Sequence, residues 1–248
     1  MLPILHQDDH LVAIDKPAGL LTHRTDLDRH EWRFALQLLR DQIGREVHPV
    51  HRLDRGVSGV LLFALDRDTT RAMTALFETR EVEKSYLAVV RGWPSEQGEV
   101  DHPLVLRPDP YEWRGESADA SAQTALTRYR RLATVELPHA VDPFPTSRYA
   151  LVHLEPLTGR RHQLRRHLKH LAHPIIGDTR YGKGPHNRLF RDLLGCERLL
   201  LACVELRLRH PVTGEALSIM APLRGEFAAL IRRLGWRDAI PSRWIASD

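Results

Sequence analysis

His51-Arg52-Leu53-Asp54-Arg55-Gly56-Val57-Ser58-Gly59-Val60-Leu61-Leu62-Phe63-Ala64 joins a charged turn to an unbroken apolar run. Residues 60–64 have the length and composition of a strand buried on both faces. The preceding turn carries two glycines, a serine and one carboxylate, Asp54, set between Arg52 and Arg55. A turn feeding a buried strand places Asp54 at the strand's edge, where a rigid scaffold can present a reactive group. The flanking guanidiniums favour the ionised carboxylate, and an ionised, positioned aspartate can act as a nucleophile. A surface turn with Arg–Asp pairs fits the same residues, so this loop alone leaves both readings open.

Outward from this strand, short elements of both kinds alternate without a βαβ rhythm. Residues 4–6 and 11–14 are apolar runs around Gln7-Asp8-Asp9-His10 and predict a hairpin. Helices are predicted over 34–43, 69–79 and 226–234, and after Thr158, which can cap a helix start. Strands are predicted over 84–90, 125–132, 149–154, 199–208 and 216–220. On the first of these, Tyr86, Ala88 and Val90 share one face and Leu87 and Val89 the other. Residues 103–123 are polar and turn-rich and predict a surface excursion. The pattern predicts an α+β fold, a largely antiparallel mixed sheet with flanking helices, in a single domain spanning 1–248.

Composition narrows the classes of function. No run is apolar enough for a membrane span, and the N-terminus turns polar too soon for a secretory signal, so a cytoplasmic protein is expected. Cys196 and Cys203 flank an apolar run and predict buried thiols, not a disulfide framework. Of 36 basic residues only Lys16, Lys84, Lys169 and Lys183 are lysines, leaving 32 arginines. Arginine suits bidentate phosphate contact and stacking on bases, although genomic base composition also favours it. The charge is local: residues 158–170 hold Arg160, Arg161, Arg165, Arg166 and Lys169 with no acid, which points to a polyanion. Leu164, Leu168 and Leu171 form the apolar stripe of that helix, and Arg165 lies at its border. A half-buried arginine needs an anionic partner, and Asp54 is the candidate. Lys84 and Tyr86 project from one strand face, where a tyrosine can stack on a base or pack in the core.

Taken together, these motifs resemble the RluA-type family of pseudouridine synthases over nearly the whole chain. Asp15-Lys16-Pro17-Ala18-Gly19 is similar to the family's early Lys-Pro-x-Gly motif, residues 51–59 to its catalytic loop, and residues 84–92 to its tyrosine strand. Residues 158–165 resemble its arginine motif, followed by the similar His173-Pro174-Ile175-Ile176-Gly177-Asp178. The resemblance implies a pseudouridine synthase fold in which Asp54 is the essential aspartate, Arg165 its partner, and Tyr86 the ring that stacks on the target uracil. It implies Leu164 on the other side of the base and Arg52 in the gap left by the flipped nucleotide. Arg160, Arg161 and Arg166 are expected to contact phosphate. A narrower likeness, in residues 132–138, 144–149 and 154–168, in Leu27-Asp28-Arg29 and in Gly235-Trp236-Arg237, is to the branch that modifies uridine-65 of tRNA. That branch lacks an S4-type RNA-binding domain, and the early position of residue 51 leads to the same expectation here. Val57 stands where the family usually has threonine, and Ala202 where it commonly has histidine.

The implied reaction is an isomerisation, and neither a P-loop nor a dinucleotide fingerprint is present, so no cofactor is expected. No metal is expected either. His162, His167, His170 and His173 crowd one region, but without the H-E-x-x-H pattern or an intervening acid. The expected partner is an RNA substrate, tRNA first and ribosomal RNA as the alternative, and the expected state is a monomer. A non-catalytic RNA-binding protein is the rival reading that the basic helix alone would support.

Overall fold

A computed structural model describes residues 1–23, 33–105 and 121–246. Its strands are β1 (Ile4–Gln7), β2 (Leu11–Lys16), β3 (His48–Pro49), β4 (Ser58–Ala64), β5 (Glu83–Arg91), β6 (Gln97–Asp101), β7 (Leu104–Val105), β8 (Ala122–Gln123), β9 (Leu126–Leu137), β10 (Ser147–Pro156), β11 (Leu201–Arg209) and β12 (Ala216–Met220). Its helices are α1 (Ala35–Ile43), α2 (Arg67–Glu78), α3 (Gln163–His170), α4 (Gly184–Leu194) and α5 (Gly225–Arg233). Ten strands form one mixed sheet in the order β1-β2-β4-β11-β5-β10-β9-β6, with β12 beside β11 and β3 beside β4. All its strand pairs are antiparallel except β4–β11. The fold is the α+β class expected from the sequence.

Period-two patterning explains why the sheet is covered on both faces. Tyr86, Ala88 and Val90 of β5 join a core with Leu39 of α1, Met73 of α2, and Leu164 and Leu168 of α3. Leu87 and Val89 face the opposite way, into a second core with Phe190 of α4 and Phe227 and Ile231 of α5. The alternation continues on β11, where Leu201 and Cys203 belong to the first core and Ala202 and Val204 to the second. Both cysteines are free and buried, as expected.

The parallel pairing of β4 with β11 follows the Asp54 turn in the chain and depends on Gly59. Ser58 and Gly59 pair with Ala202 and Cys203. Gly59 has φ 109°, and a Cβ there would lie 1.9 Å from the Cys203 carbonyl oxygen. Only a residue without a Cβ lets β4 approach β11 this closely.

Some details go beyond the sequence reading or differ from it. α3 begins at Gln163, with His162, not Thr158, at its N-cap. Thr158 ties the approach to the helix instead, donating to Gln163 Oε1 at 2.7 Å and accepting the Leu126 N–H at 3.0 Å. Helix α4 was not foreseen, although proline in its first turn and left-handed Gly195 after its end are terminal signals. The excursion over 103–123 begins and ends in the short β7–β8 ribbon. Its middle, like Leu27-Asp28-Arg29, lies outside the described residues.

Candidate active site

Asp54 lies in the turn before β4, and buried groups beneath that turn fix its backbone. Lys16 is wholly buried, and its ammonium donates to the carbonyls of Pro17, Leu20 and Arg55 at 2.9, 2.7 and 3.3 Å. Burial, helped by Arg198, pushes Lys16 down to about 7, while Asp54 and Asp15 act in the other direction. Gly19 N–H also donates to Arg55 O at 2.8 Å. Thr22 Oγ1 donates to Leu53 O at 3.1 Å, and Val57 N–H closes the turn on Asp54 O at 3.0 Å. The motif at 15–19 thus works as a clamp under the Asp54 turn.

The Asp54 carboxylate meets the arginine helix. Arg165 Nη1 donates to Asp54 Oδ2 at 3.0 Å. The rest of the guanidinium is occupied by Asp178: Nε donates to Oδ2 at 2.7 Å and Nη2 to Oδ1 at 2.9 Å. Asp178 Oδ1 also accepts the N–H groups of Arg180 and Tyr181, each at 2.9 Å. Burial disfavours charge on both partners, but their mutual hydrogen bonds outweigh it, raising Arg165 and lowering Asp178 from their ordinary values. His162 Nε2 lies 3.8 Å from Asp54 Oδ2. Burial pushes this imidazole down to about 4, against the pull of Asp54, so it faces the carboxylate uncharged near neutral pH.

Asp54 stands between two depressions. A cleft of about 520 Å³ is lined by Asp54, Arg52, Tyr86, Leu164, Lys84 and Arg161, among others. A second, of about 600 Å³, shares Arg52, Asp54, Arg161, His162 and Arg165 and continues to Gly19 and Arg198. The first has room and an apolar floor for a planar ring, with Tyr86 and Leu164 both in its wall and both buried. Burial raises the Tyr86 phenol well above its ordinary value, so it is a neutral hydroxyl against Cys203.

The structure brings the sequence-nominated residues together unequally. Asp54, Tyr86, Arg165, Leu164, Arg52, Arg160 and Arg161 all line the first cleft. Arg52 is exposed at the mouth. Arg160 directs Nε to Thr124 O at 3.1 Å, and Arg166 directs Nη1 to Val105 O at 3.0 Å. Arg166 lines neither large depression but a smaller one with Arg160, Arg161 and Arg180. Of the departures, Val57 lines the first cleft, whereas Ala202 faces the other side of the sheet. Of the four crowded histidines, two meet at His102 and the other two lie apart. His162 faces Asp54, His167 is buried against Thr127 Oγ1 and His102 O, His170 stacks on His102, and His173 binds Arg91 O. Sequence reasoning gave no role to Asp178, His162 or Tyr181. Asp178 ends the quoted 173–178 motif, which was a usable signal; nothing in the sequence marks Tyr181.

The fold that carries this site has counterparts among solved structures. Human RNA pseudouridylate synthase domain containing 4 superposes with a TM-score of 0.68 and 32% identity, covering 94% of this chain and 93% of that one. Human RNA pseudouridylate synthase domain containing 1 superposes with a TM-score of 0.68 and 25% identity, covering 90% and 84%. The fold class is that of pseudouridine synthase domains. The chain belongs to the RNA pseudouridylate synthase family, whose model matches residues 10–170. Asp54, Tyr86 and Arg165 fall inside that span and Asp178 beyond it. Among its relatives, tRNA pseudouridine synthase C of Vibrio cholerae is 49% identical over 240 residues, covering 97% of this chain and 98% of the relative. The protein of that name from Haemophilus ducreyi is 49% identical over 235 residues, covering 95% and 96%.

Proposed function

We propose that this chain isomerises uridine to pseudouridine in tRNA, at uridine-65, with Asp54 as the catalytic carboxylate. The observation that carries the reading is the 3.0 Å contact of Arg165 Nη1 with Asp54 Oδ2 at the wall of a cleft that Tyr86 and Leu164 also line. Full-length relatives at 49% identity that carry a tRNA name support the choice of substrate.

The reaction breaks the N1–C1′ bond, turns the uracil, joins C5 to C1′, releases the C5 proton and protonates N1, so it balances with no redox partner or group donor. A base inside a helix cannot be reached in place, and extruding it costs a few kcal/mol. Stacking on Tyr86, at roughly 1–3 kcal/mol per base, and insertion of Arg52 into the gap offset that cost. Asp54 engages the ribose as an ionised carboxylate, by attack or by proton abstraction. Arg165 holds it in place through the Nη1–Oδ2 bond, and Arg160, Arg161 and Arg166 contact phosphate. The chain acts as a single catalytic domain and a monomer, with no cofactor or metal. A cytoplasmic location goes with the substrate. Among the described residues no helix is long and apolar enough to cross a membrane.

Pseudouridine mapping after incubation of the purified protein with tRNA and ribosomal RNA transcripts tests this. Modification at uridine-65 of tRNA is the expected result. Modification confined to ribosomal RNA would overturn the substrate, and binding without modification of either would overturn the activity.

A further inference from the structure

Four residues close a ring with Asp54. Arg165 joins Asp54 to Asp178, and Asp178 Oδ1 accepts the Tyr181 N–H at 2.9 Å. The Tyr181 hydroxyl lies 3.0 Å from His162 Nδ1, and His162 Nε2 lies 3.8 Å from Asp54 Oδ2. The Tyr181 ring also packs on the Arg165 guanidinium, 5.1 Å from Cζ to centroid, and meets the imidazole edge-on at 5.6 Å. One arm of the ring is the Arg165–Asp178 pair already described. The other arm, His162 with Tyr181, has no part in the reading above.

Local structure does not account for a histidine here. His162 has φ 55° and ψ 25°, a left-handed backbone disfavoured for a residue with a Cβ, and it makes no side-chain cap bond for α3. Its side chain is 14% exposed and borders both depressions beside Asp54. With the Tyr181 hydroxyl donating to Nδ1, the imidazole keeps its proton on Nε2, facing Asp54. Arg165 and His162 then approach the same oxygen, Oδ2, and among the described residues Oδ1 takes no hydrogen bond.

We propose that His162, steered by the Tyr181 hydroxyl, is a positioning residue that holds Oδ2 of Asp54 so that Oδ1 is the oxygen presented to the substrate. This rests on the reading of Asp54 as the reacting carboxylate. The 3.8 Å separation closes to a hydrogen bond when substrate fills the cleft, as contacts of this kind tighten on binding.

His162→Gly tests it directly, because glycine suits the backbone while removing the imidazole. The expected result is an unchanged or higher melting temperature and a kcat lowered roughly 10- to 100-fold, the effect of a misplaced reacting group. KM for tRNA is expected to stay within about threefold. His162→Gln, whose amide N–H can reach Oδ2, should recover part of the loss. Tyr181→Phe keeps the ring on Arg165 but removes the hydroxyl, and should lower kcat by a smaller factor. Wild-type kcat in His162→Gly, or an effect confined to KM, would overturn the proposal, as would a kcat loss that tracks a lower melting temperature. If His162→Gly does not fold, wild-type kcat in Tyr181→Phe overturns it instead. Asp54→Asn assayed alongside separates the two failures. An active Asp54→Asn defeats the underlying reading, whereas an inactive Asp54→Asn with a fully active His162→Gly defeats only this proposal.

Discussion

Asp178 grips Arg165 through two nitrogens, Nε and Nη2, and so leaves Nη1 to reach Asp54. The guanidinium is thereby aimed by a residue that does not line the first cleft. Asp178→Ala removes the buried partner of a charge that is itself only 12% exposed. Breaking such a pair costs about 3–5 kcal/mol, so a strong drop in the urea midpoint is expected together with loss of activity. Asp178→Asn, which keeps the shape and one acceptor, should retain more of the fold than of the kcat.

Arg165→Lys should behave almost as badly as Arg165→Ala in kcat. An ammonium cannot hold Asp178 bidentately and reach Asp54 at the same time. Steady-state kinetics on tRNA checks this: a lysine variant within about threefold of wild type would show that charge alone suffices.

Gly59→Ala is expected to destabilise by roughly 3 kcal/mol or more, since φ 109° is unsuited to alanine and the new Cβ would overlap the Cys203 carbonyl. Thermal melting measures it. A melting temperature equal to wild type would mean that β4 and β11 do not approach as described.

Burial pushes His51, His162 and His167 down to about 3, 4 and 4, from an ordinary 6.5. Below pH 6.5 the unfolded chain binds protons that the folded chain refuses. The stabilisation is therefore complete above that pH, falls between about 6.5 and 4, and levels off near 3 as the folded forms protonate. Urea titrations at pH 7.5, 5.5 and 4.5 should show a falling midpoint, and His167→Gln should flatten the decline.

The arginines of the basic segment should differ in their salt dependence. Arg161 borders both depressions, so Arg161→Ala should lower the slope of log affinity against log salt by about 0.7–0.9. Arg166 borders only the smaller depression and ties down Val105, so its replacement should change the slope less. Equal, unchanged slopes would mark neither as a phosphate contact.

How far the sequence could be read depended on the range of the interactions. The apolar run 60–64 became β4 because burial on both faces leaves a continuous pattern. The alternation over 84–90 assigned the two faces of β5 correctly, since a strand's period is fixed by its geometry. Thr158 misled because a capping residue type also serves a loop, and the true N-cap is a histidine in a conformation that pattern does not reveal. The need of a half-buried cation for an anion makes Asp54 only a candidate partner of Arg165, and it is the family resemblance that implies the pair. The larger share of that guanidinium, however, goes to Asp178, 13 residues along the chain. His162 and Tyr181 meet only once the segment after α3 folds back, so no spacing rule announces them. The clamp at Lys16 is the converse case: its motif was visible, but its work is done on carbonyl oxygens, which carry no sequence signal.

The central claim is that the charge on Asp54 drives the isomerisation, and Asp54→Asn tests it most directly because it removes the charge with almost no change in shape. Pseudouridine at uridine-65 should be absent from tRNA incubated with this variant, while tRNA affinity and melting temperature stay near wild type. Conversion at the wild-type rate would contradict the account.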